Sequence, residues 1–154
     1  MGVSGCGKST LGSQFAQALQ MKFIEGDYYH STQCVEKMKA GHPLTDSDRI
    51  PWLNQLTQVL GECNDPAILS CSALKYTYRQ ILRSWTKPLF FIHLELDRDS
   101  AYERLNQRID HFFEPSLLDD QFVQLEPLKP TERGITLRAD LSPNQLINKV
   151  LQIQ

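Results

Sequence analysis

The chain opens with Met1-Gly2-Val3-Ser4-Gly5-Cys6-Gly7-Lys8-Ser9, and residues 2–9 fit the phosphate-binding pattern G-x-x-x-x-G-K-S/T. The glycines allow backbone angles that turn successive N–H groups inward, so the loop forms a nest for an anion. A helix that begins near Lys8 adds the positive end of its dipole. We therefore expect a nucleoside triphosphate here, with Lys8 on its phosphates and Ser9 on Mg²⁺. The expected nucleotide contacts are Gly2, Val3, Ser4, Gly5, Cys6, Gly7, Lys8, Ser9 and Thr10.

A strand normally leads into such a loop, and in folds of this kind it lies at the centre of the sheet and directs the loop. Here only Met1 precedes Gly2. Two explanations stay open: the chain as given begins after its natural start, or the fold closes without that strand. We expect the chain as written to bind ATP more weakly than a chain extended by an apolar strand, because a single residue holds the entry of the loop.

The composition is typical of one soluble globular domain that binds a small molecule. Charged residues make up 22% of the 154 residues and hydrophobic ones 41%, enough for a core. The net charge is −2 and the basic residues are dispersed, which argues against nucleic acid as a partner. No apolar run is long enough for a membrane span, and no signal peptide is recognisable. The four cysteines form no C-x-x-C pair, so we expect free thiols and a cytoplasmic protein.

Helical and strand patterns alternate along the chain, which predicts an α/β fold with a parallel sheet. Ligands bind beyond the carboxyl ends of such strands, so chemistry is expected at Asp27, Ser72 and Asp97. Residues 108–126 are expected to form a lid, because 108–115 are polar and aromatic without periodicity. The predicted strands are 21–25, 67–71, 89–96 and 134–138. The predicted helices are 9–20, 34–40, 46–60, 75–85, 100–107, 116–126 and 143–153.

Two classes of triphosphate-binding protein are disfavoured by what the chain lacks. A GTPase would carry Asn-Lys-x-Asp, whereas residues 148–151 read Asn-Lys-Val-Leu. A motor ATPase would end an apolar strand in acids, whereas strand 67–71 ends in a thiol and is followed by a hydroxyl. A small phosphotransferase remains, and it needs a carboxylate to orient or deprotonate the accepting hydroxyl. Asp27 is the best candidate, with a turn or cap residue as the alternative.

Several basic side chains are candidates for holding an anionic substrate or the transferring phosphate. Arg49 lies just inside a helix, where a cation opposes the dipole, so it either clamps a substrate carboxylate or pairs with a neighbouring aspartate. Lys75 and Arg79 share one helix face and either grip an anion or are solvated. Arg104 and Arg108 are spaced to close over the triphosphate. His111 either titrates near neutral pH and takes part in the reaction, or it is a surface or packing residue.

The chain resembles the gluconokinase family of P-loop sugar-acid kinases, in segments that follow the family's order from residue 1 to about 127. The most specific segments are Asp46-Ser-Asp-Arg-Ile-Pro-Trp-Leu53 and Cys71-Ser-Ala-Leu-Lys75. The others are residues 1–9, 25–30, 36–38, 41–44, 78–79, 82–83, 108, 111–112, 117–118, 121–122 and 125–127. A departure from the family's usual residues is Asp120, where serine is usual.

The resemblance implies ATP-dependent phosphorylation of D-gluconate at its terminal hydroxyl, giving 6-phosphogluconate, with Mg²⁺. It implies a three-layer fold like that of nucleoside monophosphate kinases, with a lid, and often a homodimer. Its implied catalytic residues are Lys8, Asp27 and Arg108. Its implied substrate contacts are Asp27, His30, Arg49, Lys75, Arg79, His111 and Gln121. Two alternatives remain: a kinase for shikimate or another sugar acid, and a nucleotide-binding protein without catalysis.

Overall fold

Helices and strands alternate through the part of the chain that the computed structural model describes, residues 1–84, 88–107 and 115–153. The strands are β1 (Lys22–Glu25), β2 (Ala67–Ser70), β3 (Phe91–Glu95) and β4 (Gly134–Arg138). The helices are α1 (Lys8–Leu19), α2 (Thr32–Lys39), α3 (Asp46–Gly61), α4 (Tyr76–Arg83), α5 (Arg98–Asn106), α6 (Pro115–Gln124) and α7 (Pro143–Leu151), and a 3₁₀ helix spans Gly26–Tyr29. The predicted alternation is confirmed.

The strands form two parallel pairs, β1 with β2 and β3 with β4. The first two residues of the chain lie between the pairs and join them. The Met1 amino group donates to Ile92 O at 2.5 Å, and Leu94 N donates to Met1 O at 2.9 Å. On the other side, Gly2 N donates to Ser72 O at 3.1 Å. The sequence predicted one parallel sheet, and the described residues instead form two ladders bridged at one end.

A channel of about 980 Å³ separates the two strand pairs below this bridge. Its walls are mainly apolar side chains of α1, β2 and β3. They include Leu11, Phe15, Ile68, Leu69, Phe91, Ile92 and Leu94. Met1, which leads into the phosphate loop, also lines this channel.

Local sequence signals explain where the helices around the site begin. Thr45 caps α3 in a capping box with Asp48, because its hydroxyl accepts from Asp48 N and the Asp48 carboxylate accepts from Thr45 N. Asp97 caps α5, since its carboxylate accepts from Ser100 N at 2.9 Å. Asp97 is thus a helix cap, which corrects the expectation that it takes part in chemistry at a strand end.

The core lies on both sides of the strand pairs. Val3, Phe15, Leu94 and other side chains of α1, β3, α5 and α7 form the larger cluster. Trp52, Leu53 and Leu56 of α3 pack with the residues that follow β2 and with α4 in a second cluster. All four cysteines are buried thiols outside any disulfide, as the sequence predicted. No helix in the described ranges is both long enough and apolar enough to cross a bilayer.

Candidate active site

The phosphate loop has the backbone shape that the sequence predicts for an anion nest. Gly7, the N-cap of α1, has φ of +93°, a left-handed angle that a side chain would strain. Lys8 Nζ reaches across the loop and donates to Val3 O at 3.0 Å. The side chains of Val3 and Cys6 are buried in the core, at 1% and 2% exposure. The loop therefore offers its backbone and the Lys8 ammonium to a ligand, and not its intervening side chains.

A cavity of about 460 Å³ lies against this loop, a size that suits a small-molecule ligand. Its walls come from the loop, the 3₁₀ helix and His30, α2, residues 43–44, the start of α3, Ser72 beyond β2, α5 and α6. Predicted site residues among them are Ser4, Gly5, Gly7, Lys8, Ser9, Asp27, His30, Arg49 and Gln121. The predicted phosphate nest and the best candidate carboxylate thus face one space.

Two contacts of the preceding glycine set the position of Asp27. A Cβ on Gly26 would lie 2.4 Å from Ser70 O, so only glycine allows the chain to turn this close to β2. The Trp52 indole donates from Nε1 to Gly26 O at 2.8 Å. The Asp27 side chain itself is 63% exposed and projects from a fixed turn. A rigid backbone therefore presents a free carboxylate to the cavity.

His30 lies between Asp27 and Trp52. Its ring stacks on Trp52 with centroids 4.1 Å apart and an interplanar angle of 18°, and its side chain is 6% exposed. Nε2 lies 3.9 Å from an Asp27 oxygen. Burial lowers the pKa of His30, partly offset by the Asp27 charge. A mostly neutral imidazole at neutral pH follows, placed to contact a ligand bound at Asp27.

Arg49 lines the cavity, and the residue as a whole is only 6% exposed. Its Nε donates to Leu44 O at 3.2 Å, which fixes the plane of the guanidinium. The two neighbouring aspartates are bound elsewhere. Asp48 pairs with Lys37 at 2.6 Å, and Asp46 pairs with Lys75 at 2.6 Å. Between the two readings that the sequence left open, this arrangement favours a ligand clamp over a local ion pair.

Gln121 of α6 contacts the phosphate loop directly. Ser4 N donates to Gln121 Oε1 at 2.7 Å, and Gln121 Nε2 donates to Ser4 Oγ at 3.1 Å. Gln121 also lines the cavity. The predicted substrate contact is therefore at the boundary between the nest and the rest of the cavity, where it holds one loop amide.

The structure does not bring Lys75 and Arg79 into the cavity. Lys75 Nζ is held by Asp46, which also accepts from the Tyr78 hydroxyl at 2.5 Å. This hydrogen bond from Lys75, followed by the one from Tyr78, lowers the pKa of the Asp46 carboxyl. Arg79 is fully buried and is saturated by Glu132 and by backbone carbonyls. The substrate contact predicted for Arg79 is corrected on this ground, because none of its donors is available.

The remaining predicted residues lie at the edge of the site or beyond the described part of the chain. Thr10 is exposed on the first turn of α1 and is not part of the cavity wall. Arg104 lies behind the loop, where its guanidinium donates to Gly5 O at 3.5 Å and to Ala139 O at 2.8 Å. It supports the loop from outside the cavity. Residues 108–114 of the predicted lid, which include Arg108 and His111, lie outside the described residues.

Two features of the structure had no usable signal in the sequence. The sequence predicts a helix at Trp52, and nothing local predicts that this side chain holds Gly26 and stacks on His30. Glu132 is 53 residues from its partner Arg79, so no spacing rule links them. Asp120 also lines the cavity and accepts from Gln124 Nε2 at 2.5 Å.

Comparison with known proteins identifies the family of the chain. The family model described as Shikimate kinase matches residues 4–152. The thermosensitive gluconokinase of Escherichia coli (strain K12) is 39% identical over 145 residues, which cover 92% of this chain and 77% of that protein.

Two crystal structures are also similar over 99% of this chain. One is of a sugar kinase from Janibacter sp. HTCC2649, with a TM-score of 0.93, 39% identity and 90% of that chain covered. The other is of a gluconokinase from Sinorhizobium meliloti 1021, with a TM-score of 0.89, 38% identity and 87% of that chain covered. The chain therefore belongs to the gluconokinase family of P-loop kinases.

Proposed function

We propose that the protein transfers the γ-phosphoryl group of ATP to the terminal hydroxyl of D-gluconate, giving 6-phospho-D-gluconate and ADP. The observation that carries the proposal is the shared cavity: the phosphate loop, the Asp27 carboxylate and the Arg49 guanidinium all line it. Gluconate combines a carboxylate with a chain of hydroxyls, so it matches a cavity lined by one cation and one base. The names of the relatives support this choice of acceptor.

Asp27 acts as the base in this proposal. Its carboxylate takes the proton of the accepting hydroxyl while the hydroxyl oxygen forms a bond to the γ-phosphorus. The bond between that phosphorus and the β–γ bridging oxygen breaks, and ADP leaves with the electron pair. Lys8 and the loop amides stabilise the charge that develops on the phosphates. Arg49 binds the substrate carboxylate through its planar fork, which fixes the far end of the chain.

The residues present also fit a magnesium ion bound together with ATP. The Ser9 hydroxyl is exposed at the cavity wall, and a hydroxyl oxygen is a ligand that Mg²⁺ accepts. The ion would neutralise charge between the β- and γ-phosphates when bound. His30 would then donate to or accept from a substrate hydroxyl beside Asp27, and Gln121 would orient the substrate at the loop. Arg108 and His111 keep their proposed roles at the transferring phosphate and the substrate.

The test is a steady-state assay of ADP release by the purified protein with ATP and Mg²⁺. We expect turnover with D-gluconate and a higher kcat/KM for it than for other sugar acids. Shikimate is the second candidate acceptor, because the matching family model carries that description. A higher kcat/KM for shikimate than for gluconate would identify shikimate as the acceptor. Tight ATP binding without turnover on any acid would support the non-catalytic alternative and contradict the proposal.

A further inference from the structure

Arg79 has the most completely satisfied charged side chain in the described part of the chain, and it lies outside the cavity. Its side chain and that of Glu132 are both at 0% exposure. Nε donates to Glu132 Oε1 at 2.7 Å and Nη2 to Oε2 at 2.9 Å, a bidentate pair. The backbone acceptors of its other N–H groups are Leu74 O at 2.9 Å, Glu126 O at 3.1 Å, Pro127 O at 3.1 Å and Ala73 O at 3.3 Å.

These carbonyls belong to two segments that are remote in sequence. Residues 73–74 follow Ser72, which lines the cavity, and residues 126–127 follow α6 directly. The segments also bond to each other, since Glu126 N donates to Leu74 O at 2.9 Å and Tyr76 N donates to Glu126 Oε2 at 2.7 Å. Arg79 therefore joins the turn behind the acceptor wall to the C-terminal end of the helix that carries Gln121.

The turn itself is strained, which explains why it needs such support. Ala73 has φ of +43°, in the left-handed region that a residue with a Cβ rarely adopts. Strain of this kind persists only where the surroundings determine the backbone fully. Arg79 Nη1 donates to the carbonyl oxygens of Ala73 and Leu74, two consecutive residues of the turn. It thus holds the backbone at the place where the strain is.

The turn and α6 both contact the first part of the phosphate loop, at Gly2 and at Ser4. Ser72 O accepts from Gly2 N at the entry of the loop, and Gln121 Oε1 accepts from Ser4 N inside it. The contacts form a closed ring: loop, turn 72–74, Arg79, residues 126–127, α6 and the loop again. Within the described residues, Arg79 is the one member of this ring whose side chain donates both to the turn and to the residues after α6.

We propose that Arg79, held by Glu132, is a positioning residue for the phosphotransfer site. It keeps Gln121 on Ser4 and Ser72 on Gly2, so that the nest and the acceptor wall keep their mutual placement. This rests on the proposed function. Lysine cannot replace it, because an ammonium lacks the planar fork that reaches two carboxylate oxygens and two separate segments at once.

The proposal is tested with Arg79→Lys and Glu132→Gln in the full chain, with Arg83→Lys as the control, an exposed arginine on the same helix. Steady-state kinetics are measured below the melting temperature of every variant. We expect KM for gluconate and for ATP each to rise about five- to tenfold in both test variants, with kcat changed less than about threefold, because neither Lys8 nor Asp27 contacts Arg79. The control keeps all three constants.

A double variant separates positioning from a merely structural role. Gln121→Ala alone is expected to raise the same KM values. When Gln121→Ala is added to Arg79→Lys, the KM values should rise less than about twofold further, because both changes act through the contact between Gln121 and Ser4. Additive effects, or a lower melting temperature with unchanged KM values, would overturn the proposal. If Arg79→Lys does not fold, Glu132→Gln carries the same comparison.

Calorimetry with ATP alone keeps this test distinct from that of the proposed function. Should the parent chain show no turnover with gluconate, the proposed acceptor fails, and the ATP dissociation constant still reports on Arg79. We expect that constant to rise about fivefold in Arg79→Lys. An unchanged ATP dissociation constant together with unchanged kinetics would contradict the positioning role.

Discussion

The phosphate loop and the opposite wall of the cavity are built in different ways. The loop consists of consecutive residues whose backbone faces the cavity, while the side chains of Val3 and Cys6 are buried behind it. The acceptor wall consists of side chains, among them Asp27, His30 and Arg49, carried by separate elements. A backbone surface tolerates side-chain changes, whereas a side-chain surface loses a contact with each one. Substitutions on the acceptor wall should therefore change activity more than substitutions of the buried side chains behind the loop.

The largest effect is expected at Asp27, on the acceptor wall. Asp27→Asn keeps the size of the side chain and removes the base, so kcat should fall about 10²- to 10⁴-fold with little change in ATP affinity. Kinetics and calorimetry check the two parts. The matched control is Asp97→Asn, the same change at another strand end, where asparagine caps α5 as well as aspartate does. A normal kcat in Asp27→Asn would remove Asp27 from the mechanism.

The next effect concerns the clamp for the substrate carboxylate. Arg49→Lys keeps the charge and loses the bidentate geometry, so KM for gluconate should rise about tenfold or more while kcat changes little. Arg138→Lys serves as the control, because Arg138 is 77% exposed and far along the chain in β4. If KM for gluconate stays constant in Arg49→Lys, the cation that meets the carboxylate is another one.

We expect the loop to be sensitive to changes at its entry and less sensitive to changes of its buried side chains, Val3 and Cys6. A five-residue apolar extension before Met1 has the usual length of a strand, and the channel behind Met1 has room and apolar walls for it. Burial lowers the pKa of the Met1 amino group to about 6, and an extended chain places an uncharged amide there. We expect the extended chain to bind ATP about tenfold more tightly, which is about 1.4 kcal/mol.

Calorimetry on the two lengths is the measurement for this extension. A glycine–serine extension of equal length is the control, because it cannot fill the channel with apolar side chains. Equal ATP affinity for the apolar extension and the chain as given would refute the expectation. Equal gains from both extensions would point to the amino group and not to the strand.

The smallest effect is expected inside the loop itself. Cys6→Ser should leave the ATP dissociation constant within about twofold, because the backbone at this position does the binding. The melting temperature should fall, since a hydroxyl replaces a thiol at 2% exposure and burial of an unpaired hydroxyl costs about 1–3 kcal/mol. Thermal denaturation and calorimetry on the same sample separate the two outcomes. A tenfold loss of ATP affinity would mean that the side chain contributes to the nest.

What the sequence predicted correctly is what depends on neighbouring residues. The helix starts, to within two residues, and the alternation of strands and helices follow from patterns of a few residues, and the structure confirms them. The left-handed angle of Gly7 is compatible with the predicted nest, whose role in binding stays a prediction. Arg49 and Arg79 received similar predictions from spacing. The structure separates them, because Glu132 lies 53 residues from Arg79 and binds it in the interior. Long-range pairing of this kind has no periodic signature. The roles of Arg108 and His111, and a homodimer, stay predictions.

The channel has a consequence for local stability. It divides the hydrogen-bonded backbone of the strands into two ladders, which three backbone hydrogen bonds at Met1 and Gly2 connect in the described residues. Amide protons report the free energy needed to open the unit that contains them, and weakly connected units open separately. We therefore expect the β1–β2 ladder and the β3–β4 ladder to open as two units, with amides that exchange with solvent on different timescales in a hydrogen-exchange measurement. The proposed function puts the nucleotide at the phosphate loop, between these units, so we expect its binding to bring the two exchange rates closer together.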